Sequence, residues 1–106
     1  MNTNTLKAVY FVGAGGIGMS ALVRYFLSKG KAVGGYDRTA SALTEKLRQE
    51  GADIHYEDNI ALIPEVFLNP ETTLIVYTPA IPAEHKELTY FREHNFEIQK
   101  RAQVLG

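Results

Sequence analysis

The sequence predicts an α/β fold of the Rossmann-like, doubly wound kind: a mostly parallel five-stranded sheet with helices on both faces. Short apolar or β-branched segments alternate with amphipathic helical segments along the 106 residues, which is typical of parallel strands joined by crossover helices. A glycine-rich turn joins the first strand to the first helix, as in dinucleotide-binding folds. With right-handed crossovers, we expect the strand order 3-2-1-4-5.

The first half of the chain contains three predicted strands and two predicted helices. The first strand, Lys7–Val12, is an almost unbroken apolar run, as expected for a strand buried on both faces. The following helix ends at Gly30, which suits a left-handed cap. We expect its inner face to be formed by Ile17, Ala21, Leu22, Tyr25 and Phe26. The remaining elements are a strand at Ala32–Tyr36, a helix at Ser41–Glu50 that stops at Gly51, and a strand at Asp53–Tyr56. Two glycines in the second strand indicate close packing or a bulge.

The second half begins with an ambiguous segment, Glu57–Pro70, whose apolar residues suggest a short helical turn packed on the sheet and interrupted by Pro64. Thr72–Tyr77 is β-branched and apolar, which favours a strand. After a proline-containing loop, the remaining predicted elements are a helix at Glu84–Asn95, a strand at Phe96–Gln99 and the start of a further helix at Lys100–Leu105.

The glycine turn is the first candidate binding element. Gly13, Gly15 and Gly18 have the spacing G-x-G-x-x-G. In such a turn the first glycine permits the tight bend, the second lets a ligand approach the backbone, and the third lets helix and strand pack closely. The free N–H groups and the dipole of the following helix then form a site for a phosphate or diphosphate. Ser20 is either a phosphate donor or an ordinary exposed helix serine.

Two other loops are expected beside this turn, because ligands of parallel sheets bind beyond the carboxyl ends of the strands. Asp37 ends the second strand 19 residues after Gly18, where dinucleotide folds place a ribose-binding carboxylate; the alternative is a turn or helix-start residue. Arg38 beside it either pairs with a ligand phosphate or base, or is a solvated surface arginine. Thr78–Pro82 offers a hydroxyl and rigid turns above the sheet, or uses its prolines only to stop the strand.

Composition and missing motifs exclude several function classes. The net charge of −1, without a basic cluster, gives no indication of nucleic-acid binding. No apolar run approaches the roughly 20 residues of a membrane span, and no signal peptide is recognisable, so we expect a soluble cytoplasmic domain. The chain has no cysteine, and its three histidines have no zinc-motif spacing and are expected to be solvated. No P-loop, G-x-S-x-G motif or catalytic carboxylate pair is recognisable, so we expect a binding site without catalytic chemistry and no metal.

Four segments together resemble the N-terminal domain of the Mur ligases, the ATP-dependent enzymes of peptidoglycan synthesis. They are GAGGIGMSALVRYF at Gly13–Phe26, GYD at Gly35–Asp37, TPAIP at Thr78–Pro82 and KRAQVL at Lys100–Leu105. The resemblance implies that this domain binds UDP-N-acetylmuramate, with the diphosphate over the glycine turn and the uridine near Asp37. The residues implied in substrate binding are Gly13, Gly15, Gly16, Ile17, Gly18, Ser20, Asp37, Arg38, Thr78, Ala80 and Ile81.

The resemblance also implies a longer enzyme that joins L-alanine to UDP-N-acetylmuramate with ATP and Mg²⁺, whose sites lie in a central domain after Gly106. Residues 1–106 are then an excised domain that is inactive alone. The sequence departs from the family at Glu57-Asp58, where Gly-His is frequent, at Thr78-Pro79, which replaces two serines, and at Gln103, which replaces a glutamate.

Three other interpretations stay open at this point. The glycine turn and Asp37 fit an NAD(P)-binding domain of an oxidoreductase or regulator equally well. The related ligase that joins a whole tripeptide to UDP-N-acetylmuramate has a similar first domain, and the sequence does not exclude it because the incoming amino acid or peptide is recognised elsewhere. A non-catalytic nucleotide-binding module has the same features.

Overall fold

The computed structural model describes residues 5–100, which form one five-stranded parallel sheet in the order β3-β2-β1-β4-β5. The strands are β1 (Ala8–Val12), β2 (Ala32–Tyr36), β3 (Asp53–His55), β4 (Thr73–Tyr77) and β5 (Glu97–Lys100). Every neighbouring pair is parallel, so the predicted strand order is confirmed. In the central register Val12 lies opposite both Tyr36 and Tyr77. The strands β1, β2 and β4 therefore end at one level.

Helices cover both faces of the sheet, as predicted. They are α1 (Ile17–Ser28), α2 (Ala42–Gln49) and α3 (Lys86–Glu93). One core cluster joins α1 and α2 to the β1 face that carries Phe11. A second cluster joins α3 to the opposite face, which carries Tyr10. Because β1 contributes to both clusters and all five of its residues are buried, it is the structural centre of the chain.

The inner face of α1 differs from the prediction. Its buried residues include Met19, Leu22, Val23 and Phe26. Ala21 is exposed and Tyr25 is 52% exposed, so both expectations were wrong. The apolar stripe runs through the i, i+3, i+4, i+7 positions that start at Met19, and Ala21 and Tyr25 lie on its solvent flank.

The ambiguous segment forms two single-turn 3-10 helices, Ile60–Leu62 and Glu65–Phe67, on either side of Pro64. Phe67 is buried against β2, where a Cβ on Gly34 would lie 2.7 Å from the Phe67 ring. Close packing therefore explains a glycine inside this strand. Among the apolar residues of the segment, Ile60, Leu62, Val66 and Leu68 are exposed.

The predicted ends of the last two elements need correction. α3 begins at Lys86, because the chain before it forms a turn in which the His85 N–H donates to the Pro82 carbonyl. Lys100 is the last residue of β5 and does not begin a helix. Residues 101–106 of that predicted helix lie outside the described residues. Between residues 5 and 100, none of the helices is long and apolar enough to cross a membrane.

Candidate functional site

A cleft of about 750 Å³ lies at the carboxyl ends of β1, β2 and β4. The three loops that follow these strands line it, as the sequence predicted. The lining residues are Gly13, Gly16, Tyr36, Asp37, Arg38, Thr39, Asp58, Thr78, Ala80, Ile81, Pro82, Glu84, His85 and Lys86.

The predicted site residues divide into two groups. Gly13, Gly16, Asp37, Arg38, Thr78, Ala80 and Ile81 line the cleft, whereas Gly15, Gly18 and Ser20 are not among its described lining residues. The side chain of Ile17 lies outside what the structure describes. Ser20 lies in the first turn of α1 and is only 7% exposed. The alternative of an ordinary exposed serine is therefore wrong, and a role of Ser20 in phosphate binding stays a prediction.

Gly13 makes the tight turn that its position predicted. Its φ of +100° lies in the left-handed region that glycine favours. A Cβ at this position would lie 2.6 Å from Cγ2 of Thr78, so the missing side chain also lets the loop after β4 approach the end of β1. The N–H groups of Gly13 and Ala14 both donate to the Tyr36 carbonyl, at 2.8 and 2.9 Å, which fixes the turn to the end of β2.

Gly15 faces protein atoms and not the cleft. A Cβ on Gly15 would lie 2.8 Å from Cγ2 of Thr44 and 2.9 Å from Oδ2 of Asp37. The Gly15 N–H donates to Oδ1 of Asp37 at 3.3 Å. The sequence predicted that a ligand approaches the backbone at Gly15. In the structure, side chains from α2 and from the loop after β2 occupy the space beside its Cα.

Asp37 is half-buried and has a turn role in addition to its place in the cleft. Its carboxylate accepts the N–H groups of Gly15, at 3.3 Å, and Thr39, at 3.4 Å. Contact between Asp37 and a ribose stays a prediction. Arg38, the next residue, is exposed at the cleft.

The start of α1 can accept an anion. Its N-cap is Gly16, which offers no side chain to the first turn, and that turn contains no acidic residue. The first N–H groups of an α-helix have no partner within the helix, and the dipole makes that end positive. Because Gly16 lines the cleft, this end of α1 adjoins it.

Sequence reasoning missed the wall of the cleft formed by Tyr36, Asp58 and His85. His85 is 6% exposed, and its ring centroid lies 4.6 Å from that of Tyr36. Burial, and next the Asp58 carboxylate, raise the pKa of Tyr36 above its ordinary value. The expectation of solvated histidines is therefore wrong for His85 and for His55, whose side chain is 14% exposed, but correct for the exposed His94. The signal available was the position of His85 in the first turn of the predicted helix Glu84–Asn95, since helix starts recruit side chains that accept from N–H groups.

Two carboxylates hold this wall in place, because each accepts backbone N–H groups from the segment that carries the other. The Asp58 carboxylate accepts the N–H groups of Lys86, at 2.9 Å, and Glu87, at 3.0 Å. The Glu87 carboxylate accepts the N–H of Asn59 at 3.1 Å. We call these three hydrogen bonds the carboxylate clasp; they join the loop after β3 to the start of α3.

Glu87 is fully buried and has two side-chain partners in addition. Its carboxylate accepts the Tyr10 hydroxyl at 2.5 Å and lies 2.7 Å from Nε2 of His55. Burial, and next the Glu87 carboxylate, raise the pKa of Tyr10 well above its ordinary value. Tyr10 and His55 therefore anchor the carboxylate clasp to β1 and β3.

The described part of the chain offers binding groups rather than a metal centre. Between residues 5 and 100, no three histidine or acidic side chains come together as a metal site would require. The cleft combines backbone donors, a hydroxyl, charged side chains and aromatic rings. This set suits a nucleotide with a charged phosphate group.

Comparisons with known proteins identify relatives of this chain. A sequence model described as "Mur ligase family, catalytic domain" matches residues 8–106. Over all 106 residues, the chain is 71% identical to the curated UDP-N-acetylmuramate–L-alanine ligase of Parabacteroides distasonis and 73% identical to that of Phocaeicola vulgatus. The chain spans 23% of the length of each of these relatives.

Two solved ligase structures are similar to this chain in fold. The UDP-N-acetylmuramate-alanine ligase of Thermotoga maritima matches with a TM-score of 0.81 and 28% identity, over 92% of this chain and 21% of its own. The UDP-N-acetylmuramate:L-alanyl-gamma-D-glutamyl-meso-diaminopimelate ligase from Neisseria matches with a TM-score of 0.79 over 94% of this chain and 30% of its own, and its 18% identity supports the fold alone.

Proposed function

This chain belongs to the Mur ligase family, and we propose that residues 1–106 are the UDP-N-acetylmuramate-binding domain of a ligase that adds L-alanine to this nucleotide sugar in peptidoglycan synthesis. The observation that carries the proposal is the cleft beyond β1, β2 and β4, in a chain whose curated relatives are named for that reaction. The proposed location is the cytoplasm.

Within the cleft, the proposal assigns one part of the ligand to each loop. The diphosphate lies at the start of α1, where the helix dipole and first-turn N–H groups favour an anion. The proposal assigns the uridine to the region of Asp37, since a carboxylate at the end of the second strand can accept from ribose hydroxyl groups. The sugar lies toward Thr78–Ile81. The chain's own contribution is to bind the nucleotide sugar and to orient it.

ATP, Mg²⁺ and L-alanine are assigned to the remaining length of the ligase. The sequence of this chain contains no G-x-x-x-x-G-K-[ST] phosphate loop, and residues 5–100 contain no cluster of potential metal ligands. These residues therefore do not fit an ATP–Mg²⁺ site, and no reaction step is assigned to them.

Calorimetric titration of the chain with UDP-N-acetylmuramate, UDP and NADH tests the proposal. We expect both uridine compounds to bind and NADH to give no heat of binding. The start of α1 is available to the diphosphate of all three compounds, so discrimination depends on the loops after β2 and β4. Tight binding of NADH without a response to either uridine compound would reject the proposed function.

A further inference from the structure

The glycine turn before α1 has few backbone donors left for a ligand. The N–H groups of Gly13 and Ala14 donate to Tyr36, that of Gly15 to Asp37, and that of Gly16 to the Gly13 carbonyl at 3.4 Å. A diphosphate at the start of α1 therefore meets only the first-turn N–H groups of the helix. These carry partial charges equivalent to about half an elementary charge, which is less than the charge of a diphosphate.

Acidic side chains make this deficit larger. The described lining residues include three carboxylates, Asp37, Asp58 and Glu84, but only two cations, Arg38 and Lys86. This excess of negative charge repels an incoming diphosphate unless the two cations lie close to it. The charge of the ligand must therefore be offset mainly by side chains.

The backbone of Lys86 is held by a hydrogen bond, whereas its side chain is exposed and available to a ligand. Its N–H donates to the Asp58 carboxylate at 2.9 Å, and the next residue, Glu87, is buried in the carboxylate clasp. The Lys86 side chain is exposed, and none of the ion pairs found between residues 5 and 100 includes it.

Helix stability does not explain a lysine at this position. Lys86 is the first residue of α3, where a positive side chain opposes the helix dipole. A cation at the unfavourable end of a helix and at the edge of a nucleotide cleft is better explained by an anionic ligand.

We propose that Lys86 binds the diphosphate of the nucleotide sugar from the α3 side of the cleft, with Arg38 as the second cation from the β2 loop. This inference rests on the proposed function and adds a binding residue to it. The ammonium group contributes charge rather than a directional contact, because its stem is flexible.

The test compares Lys86→Gln with Lys46→Gln in the same chain. Lys46 is also an exposed lysine, but it lies on α2 and does not line the cleft. Each variant is titrated with UDP, UDP-N-acetylmuramate and uridine at low and high salt. We expect Lys86→Gln to weaken UDP binding about two- to fivefold at low salt, as for an exposed ion pair at the upper end of its range. Uridine affinity stays unchanged, and the difference for UDP shrinks as salt screens the charges.

Different results separate this inference from the proposed function. Wild-type affinity for UDP in Lys86→Gln, or an equal loss for UDP and uridine, would refute the charge contact. A loss confined to UDP-N-acetylmuramate would refute the diphosphate assignment in favour of a contact to the muramoyl carboxylate. A wild-type chain that binds none of the uridine compounds would reject the proposed function itself. Lys46→Gln is expected to bind like the wild type, and a thermal melt checks that both variants are folded.

Discussion

At the scale of single residues, Asp37 has two tasks that one substitution can separate. Its carboxylate holds the Gly15 N–H at 3.3 Å and also lines the cleft. Asparagine keeps an oxygen for the Gly15 N–H but removes the charge, whereas alanine removes both. We therefore expect the two variants to differ in stability and to agree more closely in binding.

For Asp37→Ala, we expect UDP-N-acetylmuramate to bind about 10- to 100-fold more weakly, since a hydrogen bond to a charged group contributes roughly 1.5–3 kcal/mol. The free energy of unfolding should also fall by about 1 kcal/mol, because the Gly15 contact is lost. Asp37→Asn should weaken binding while the free energy of unfolding stays closer to that of the wild type. Calorimetry and urea unfolding measure the two effects, and unchanged affinity in both variants would exclude Asp37 from the site.

Because of Tyr10, we expect the free energy of unfolding to fall as the pH rises in the alkaline range. Its pKa in the folded chain is raised, whereas the unfolded chain has the ordinary value of about 10. Below pH 10 the stabilisation from the protonated hydroxyl is complete. Above it the unfolded state loses a proton that the folded state keeps, so stability falls by up to about 1.4 kcal/mol per pH unit.

In Tyr10→Phe this source of pH dependence is absent. At neutral pH the variant should be less stable by about 1–3 kcal/mol, because the buried Glu87 carboxylate loses a donor. The difference from the wild type should then shrink between pH 10 and 11. Urea unfolding across this range measures it, and a constant difference would show that Tyr10 ionises alike in both states.

At the scale of elements, β2 and the second 3-10 helix depend on each other through one missing side chain. A Cβ on Gly34 would lie 2.7 Å from the Phe67 ring and 2.8 Å from the Asp53 carbonyl. Phe67 is 1% exposed and lies on the face of the sheet that α3 covers. Neither the ring nor the neighbouring strand can move away without disturbing other packed groups.

Gly34→Ala should therefore lower the free energy of unfolding by about 1–3 kcal/mol, as overpacked cores do. Combining it with Phe67→Leu should recover part of this loss, so that the double variant is more stable than the sum of the two single effects predicts. Thermal or urea unfolding of the four proteins measures the coupling. Strictly additive effects would place the strain at the Asp53 carbonyl.

At the scale of the whole molecule, topology was predictable because it follows from local signals. The apolar run of β1, the glycine spacing and the strand–helix alternation lie within short windows, and crossover handedness then restricts the strand order. The cleft followed from the same rule, because the ends of β1, β2 and β4 must meet.

Specific side-chain contacts between distant parts of the chain were not predictable. Asp58 and Lys86 are 28 positions apart, and His55 and Glu87 are 32 apart. Their pairing depends on where α3 docks, which no periodicity encodes. The surroundings of Gly15 were not predictable for the same reason, because its neighbours Asp37 and Thr44 come from later parts of the chain. Sequence therefore located the cleft but not the wall that the carboxylate clasp supports.

The two core clusters share β1, and we expect the chain to unfold as one unit for that reason. Leu47 on α2 belongs to one cluster and is fully buried, and Leu88 on α3 belongs to the other and is 1% exposed. Leu47→Ala and Leu88→Ala should each lower the free energy of unfolding by about 2–5 kcal/mol. Both should do so within a single transition, because neither face of the sheet keeps its core once β1 is released.

Circular dichroism and tyrosine fluorescence, recorded along the same urea gradient, test this cooperativity. We expect the two signals to coincide for the wild type and for both variants. UDP-N-acetylmuramate at a hundredfold excess over its Kd should raise the free energy of unfolding of all three by about 2.7 kcal/mol. The cleft is formed by loops that follow β1, β2 and β4, so its ligand stabilises the strand that both clusters share. A separate early transition in Leu88→Ala, with α1 and α2 still folded, would show instead that the two faces of the sheet unfold independently.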